Sequence, residues 1–145
     1  MVKAKAKYWH AVVFDVYEFL LKDELSKSEV AILFYLLKEM RSQKITIASS
    51  QKKIINDLKL SKATVSKAIS RLTDLQYCIR YEHSLMINPY LFYVGKHHER
   101  MLDIELFERR LESINQAKRF DFGKDEFDSD DTTVIIDLRL NSTTS

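Results

Sequence analysis

Apolar positions in this chain recur mostly at helical spacing and alternate only in short pieces. The stretch from His10 to Lys22 is rich in Val, Phe and Leu, and reads as a buried helix or an extended, dimer-forming piece. Ser26-Lys27-Ser28-Glu29 has the form of a capping box, in which the serine accepts from the N–H three residues on and the glutamate reaches back. The helix predicted behind it, Ser28 to Arg41, carries Val30, Leu33, Phe34, Leu37 and Met40 on one face. Ala31, Ile32, Tyr35 and Leu36 widen that face, so the helix should lie deep in the core. Lys44 to Ala48 is short and β-branched, a brief strand with Ile45 and Ile47 on the same side.

Two helical segments follow, split by a very short break. The first, Ser50 to Leu58, directs Ile54, Ile55 and Leu58 inward. The second starts after Leu60, takes Ser61 as its N-cap and runs to about Gln76. From Tyr77 the pattern changes to a hairpin: Tyr77 to Tyr81, a polar turn at Glu82-His83-Ser84, and Leu85 to Ile87, stopped by Asn88-Pro89. Arg100 to Gln116 is amphipathic through Ile104, Phe107, Leu111 and Ile114. Asp121 to Asp131 is acidic and poor in aliphatics, as a flexible linker is. Thr133 to Leu140 alternates Val134, Ile136, Leu138 and Leu140 with polar residues, a strand that needs a sheet edge, whether a neighbour's or its own hairpin's. The expected organisation is a domain over residues 1–116, an acidic linker over 117–132 and a strand-like arm over 133–145. Truncation after Gln116 should then spare the domain's function. The fold class is mainly α with a small antiparallel β hairpin, a winged helix-turn-helix.

Composition supports this. Two glycines and one proline are too few for a turn-rich β-sandwich. The single cysteine, Cys78, excludes an internal disulfide and a multi-cysteine zinc site, and its apolar setting marks it as a core residue. The basic start, Met1 to Lys7, lacks the apolar run of a signal peptide, and no stretch is long enough to span a membrane, so a cytoplasmic protein is expected. Residues 1–98 carry 16 Lys/Arg against 9 Asp/Glu, whereas residues 99–145 carry 7 against 12. A basic body with an acidic tail suits a nucleic-acid partner for the body.

The segment from Leu60, LSKATVSKAISRLTDL, is the most specific. Val65, Ala68, Ile69 and Leu72 form a narrow apolar stripe. Ala63, Ser66, Lys67, Ser70 and Arg71 lie opposite, with Thr64 at the flank and Ser61 and Lys62 at the start. A helix entering the major groove needs a face that is small, hydrogen-bonding and basic. Between Leu58 and Leu75 the one acidic residue is Asp74, at the far end. An ordinary surface helix would mix Glu with its Lys. The preceding helix offers Ser50, Gln51, Lys52 and Lys53 as backbone contacts, because helix N-termini suit phosphates. In the wing, Arg80 and His83 could reach phosphates or the minor groove.

Three stretches, SKSEVAILFYLLKEM from Ser26, LSKATVSKAISRL from Leu60 and LMINPYLFYVGKHHER from Leu85, resemble the RepL-type plasmid replication proteins of Firmicutes in the same order. Met86 to Pro89 is the most distinctive piece, and the likeness covers roughly residues 12–110. It implies a sequence-specific DNA-binding protein of a plasmid or mobile element, acting in replication initiation or copy control. It also implies that the Asn88-Pro89 turn closes the domain against the segment that follows. A winged-helix transcriptional repressor with no part in replication is the alternative. The wing departs from the family in lacking the usual glycine.

A nicking enzyme is not expected. His97 and His98 are adjacent and diverge, so they cannot form the His-hydrophobic-His metal pair such enzymes use. No phosphate-cradling glycine loop exists. Neither cofactor nor metal is foreseen. The expected partners are double-stranded DNA and a second copy of the chain, since one reading helix covers only a half-site. The dimer seam would be the first helix or the Ile104–Ile114 helix. Host replication or transcription proteins are further candidates, and a membrane is not.

Overall fold

A computed structural model describes residues 10–13, 16–40, 46–47, 51–93, 97–121 and 133–136, with side chains over 16–40, 46–47, 51–93 and 98–121. The elements run β1 (His10–Val13), α1 (Val16–Lys22), α2 (Lys27–Glu39), β2 (Thr46–Ile47), α3 (Gln51–Leu58), α4 (Lys62–Asp74), β3 (Cys78–Tyr81), β4 (Ser84–Ile87), β5 (Phe92–Tyr93), α5 (His97–Ser113) and β6 (Thr133–Ile136). The expected winged helix-turn-helix is present: α2, α3 and α4 pack together, and α4 leads into the β3–β4 hairpin. The sequence-based strand at Lys44 to Ala48 is seen at Thr46–Ile47, where it joins β4 to make a three-stranded sheet of order β2-β4-β3. The segment from His10 to Lys22, expected as one piece, is a strand followed by a short helix.

Local chemistry sets the ends of these helices. Ser26 Oγ accepts from Glu29 N–H at 3.2 Å while Glu29 Oε1 accepts from Ser26 N–H at 2.8 Å, the reciprocal box that the sequence announces. Ser61 caps α4 in the same way, accepting from Thr64 N–H at 3.1 Å. Helix α3 stops because Lys59 turns left-handed at φ 54°, letting Leu60 N–H close back on Ile55 C=O. Helix α4 ends with Gln76 at φ 64° and Tyr77 N–H on Leu72 C=O. A chain with two glycines thus puts ordinary residues where glycine is favoured, and the tight α3–α4 turn depends on one of them.

Helix α2 buries Ile32, Leu33, Tyr35, Leu36 and Leu37, as its pattern requires. Val30 and Ala31 of the expected face are half-buried, and Phe34, expected inward, is 57% exposed. It shares the solvent side with Lys27 and Lys38, while the opposite side of the helix meets α3 and α4. In α4 all four stripe residues, Val65, Ala68, Ile69 and Leu72, are buried, the larger three each contributing about 1.5–3 kcal/mol of apolar burial. Cys78 lies in the same core, and burial pushes its thiol up to about 12, which leaves it unreactive.

The hairpin is tied to α5 through the Asn88–Tyr90 turn. Asn88 is fully buried; its Nδ2 donates to Gln76 C=O at 2.8 Å and its Oδ1 accepts from Tyr90 N–H at 2.9 Å. Arg100, buried in α5, donates to the carbonyls of Pro89 and Tyr90 and stacks 4.1 Å over the Tyr93 ring. This is the closure of the domain that the family likeness implies. The Ile104, Phe107 and Leu111 stripe of α5 is buried in the chain's own core, so it is unavailable as the dimer seam considered above. Helix α1, by contrast, exposes Leu21 at 80% and Tyr17 at 44%.

The expected arm strand finds its edge inside the chain. β6 pairs antiparallel with β1, with Ala11 opposite Ile135, and β1 pairs with β5 on its other side. It therefore does not fold over the wing, and residues 137–140 of the predicted strand lie outside the described ones.

Candidate nucleic-acid interface

Burial of the Val65–Leu72 stripe turns the other side of α4 outward. Lys62, Ala63, Ser66, Lys67 and Ser70 are all exposed, and Thr64 is half-buried. No acidic residue occupies the first turn. Neither Lys62 nor Lys67 makes an ion pair among the described residues. Ser61 and Thr64 are engaged in the cap, since Ser61 Oγ also lies 2.8 Å from Thr64 Oγ1. Both side chains thereby hold the start of the helix.

Arg71 does not join this face. It lies at the flank of α4 and turns to the α1–α2 junction, pairing with Glu29 Oε1 at 2.5 Å and donating to Asp23 C=O at 2.6 Å. Its removal should act on stability: Arg71→Ala is expected to lower the unfolding free energy by about 1–2 kcal/mol, a charge-assisted set discounted for partial exposure. A urea midpoint shifted to lower concentration is the result to look for.

The flanking candidates divide. Ser50 lies outside the described residues. Lys52 is exposed on α3, whereas Lys53, also exposed, is held by Glu39 at 3.0 Å. Gln51, Arg80 and His83 are brought together: with Ile69, Glu82, Ser84 and Leu85 they line a cleft of about 340 Å³ between α3, α4 and the wing. The wing is a two-residue loop in which Tyr81 pairs with Ser84, and Glu82 takes φ 56° where glycine would be unstrained. Glu82→Gly should relieve this strain and remove a carboxylate from the cleft. The expected gain is below about 1 kcal/mol in stability, read from the thermal midpoint, with tighter DNA binding.

Sequence reasoning missed a group of residues behind α4. Residues 117–121, assigned to the linker or its approach, are docked on the body. Phe120 is 2% exposed, set edge-on against Phe19 at 4.8 Å and beside Tyr77 at 5.9 Å. Lys118 bridges Glu108 and the Tyr90 hydroxyl, while Arg119 donates to Leu75 C=O and to Asp23 Oδ1, each at 2.8 Å. Asp23 accepts in addition from the Tyr77 hydroxyl at 2.5 Å. Burial raises the Asp23 pKa, but the bonds from Arg119 and Tyr77 and the charges of Arg119 and Arg71 outweigh it, leaving the carboxyl below its ordinary 3.8. Its contribution to stability is therefore present above the ordinary value and is lost as pH falls through the lower folded one. In sequence, Phe120 looks no different from Phe122 and Phe127, and nothing local marks it as the residue that docks.

A family model described as Firmicute plasmid replication protein (RepL) matches residues 17–134. The chain belongs to the RepL family. No curated protein and no solved structure matched it. The RepL match runs from α1 to β6, further than the likeness visible over residues 12–110, and takes in the docked segment at 117–121. This RepL chain is accordingly a plasmid replication protein with a winged-helix body. Among its described residues no helix is long and apolar enough to cross a membrane, and no group of three or more His, Cys, Asp or Glu could hold a metal ion.

Proposed function

We propose that the chain binds double-stranded DNA sequence-specifically, as a homodimer and without a catalytic step, in the initiation or copy control of plasmid replication. The observation that carries this reading is the exposed face of α4. Small and basic residues at 62, 63, 66, 67 and 70 lie beside a cleft in which Gln51, Arg80 and His83 converge. Small side chains let the helix backbone approach base edges, and the lysines beside them reach either base edges or phosphates. Arg80 and His83 would hold the duplex from the wing, and the N-terminal turn of α3 from the other side of the cleft. Homodimerisation supplies the second half-site that a single 13-residue helix cannot cover.

Footprinting on the plasmid that carries the gene, with binding measured across a salt series, tests the reading. Protection of paired half-sites at the replication origin is expected, with log K falling linearly as log salt rises. Absence of protection anywhere on the plasmid would remove the function, and protection confined to a promoter would replace replication by transcriptional repression.

A further inference from the structure

The residues that present the reading face to solvent do not themselves set its angle. The buried stripe packs the body of α4 on α2 and α3, and at its far end three separate parts of the chain meet. Arg71, in the last turn of α4, donates to Asp23 C=O in the α1–α2 junction. Gln76, 6% exposed just past the helix, donates to Ala117 C=O at 2.9 Å, and its Oε1 accepts from Arg119 N–H at 2.8 Å. Arg119 then uses two nitrogens of one guanidinium for two jobs. Nη1 caps the carbonyl of Leu75, where the helix dipole is negative, and Nη2 pairs with Asp23 Oδ1. The ring of Phe120 lies 4.6 Å from that guanidinium.

We propose that Arg119 and Asp23 are positioning residues for duplex reading. They strap the C-terminal end of α4 to the α1–α2 junction, so that a segment outside the helix-turn-helix sets how Lys62 to Ser70 meet the groove. The proposal rests on the DNA-binding reading above and deepens it. The fork matters, because an ammonium is a single centre and cannot cap Leu75 and pair with Asp23 in the same geometry. The segment 117–121 is also the connection toward the acidic stretch and β6, so the setting of the reading helix is joined covalently to the C-terminal arm.

The test uses the full-length chain and its Arg119→Ala, Arg119→Lys and Asp23→Asn variants, at a temperature where each has the far-UV circular dichroism of the unaltered chain. Two probes are used: the duplex of about 30 base pairs that the unaltered chain enriches from a randomised library, and a shuffled duplex of equal length. Amide hydrogen exchange is measured in parallel. Arg119→Ala and Asp23→Asn should accelerate exchange at residues 71–77 while leaving the hairpin protected. They should also reduce the ratio of specific to shuffled binding about tenfold, with binding to the shuffled duplex unchanged. Arg119→Lys should fall between. A merely structural role would lower the melting temperature and leave that ratio untouched, which overturns the proposal, as does unchanged exchange in α4. If the unaltered chain prefers no duplex, DNA reading itself fails. If it discriminates and Arg119→Ala discriminates equally, only the strap's role is lost.

Discussion

Replacing Lys62 and Lys67 together by alanine should weaken binding of the folded chain to its duplex site by roughly 2–6 kcal/mol if both reach base edges. Both side chains are exposed, on neighbouring turns of α4, and neither is spent on an ion pair among the described residues. Their removal uncovers no core, because Val65, Ala68, Ile69 and Leu72 face the other way, so the melting temperature should stay within about 1–2 °C. If the two lysines meet phosphates instead, the loss is uniform over sequences and the salt slope falls by about 2. The contrast is Lys53, already held by Glu39, whose replacement should matter less. Affinity that survives the double substitution would remove α4 as the reading element.

Phe120→Ala should lower the unfolding free energy by about 3–5 kcal/mol, a large share of what a domain of this size has. The ring is buried against Phe19 and Tyr77, and its loss also removes the surface on which Arg119 is stacked. Truncation after Gln116 deletes Lys118 and Arg119 as well, so it should be at least as damaging. This reverses the expectation drawn from the acidic composition of the tail, in which such a truncation was harmless. Urea unfolding of both variants against the full chain decides the matter. A truncated chain with an unchanged midpoint would show that the docked segment holds nothing.

What could be read from the residues alone was whatever depends on near neighbours in the chain. Ser26 with Glu29, and Ser61 before Lys62, specify helix starts because a cap bond spans three residues. The stripe at 65, 68, 69 and 72 specifies which side of α4 is buried, and therefore which side is left to solvent, because helical period converts spacing into direction. The hairpin after Tyr77 was legible for the same reason.

Tertiary structure alone decided the partners of side chains that local pattern leaves ambiguous. Arg71 belongs by spacing to the basic face, yet Glu29 and the Asp23 carbonyl, more than 40 residues earlier, draw it away. Phe34 belongs by composition to the core, yet α3 and α4 cover the opposite side of its helix. Phe120 and Arg119 sit beside an acidic run that suggests a linker, yet they close the C-terminal end of α4. A helical wheel reports direction about one axis. Which charge meets which carboxylate, and which ring finds a gap, depends on how several axes pack, and that is settled only when distant segments meet.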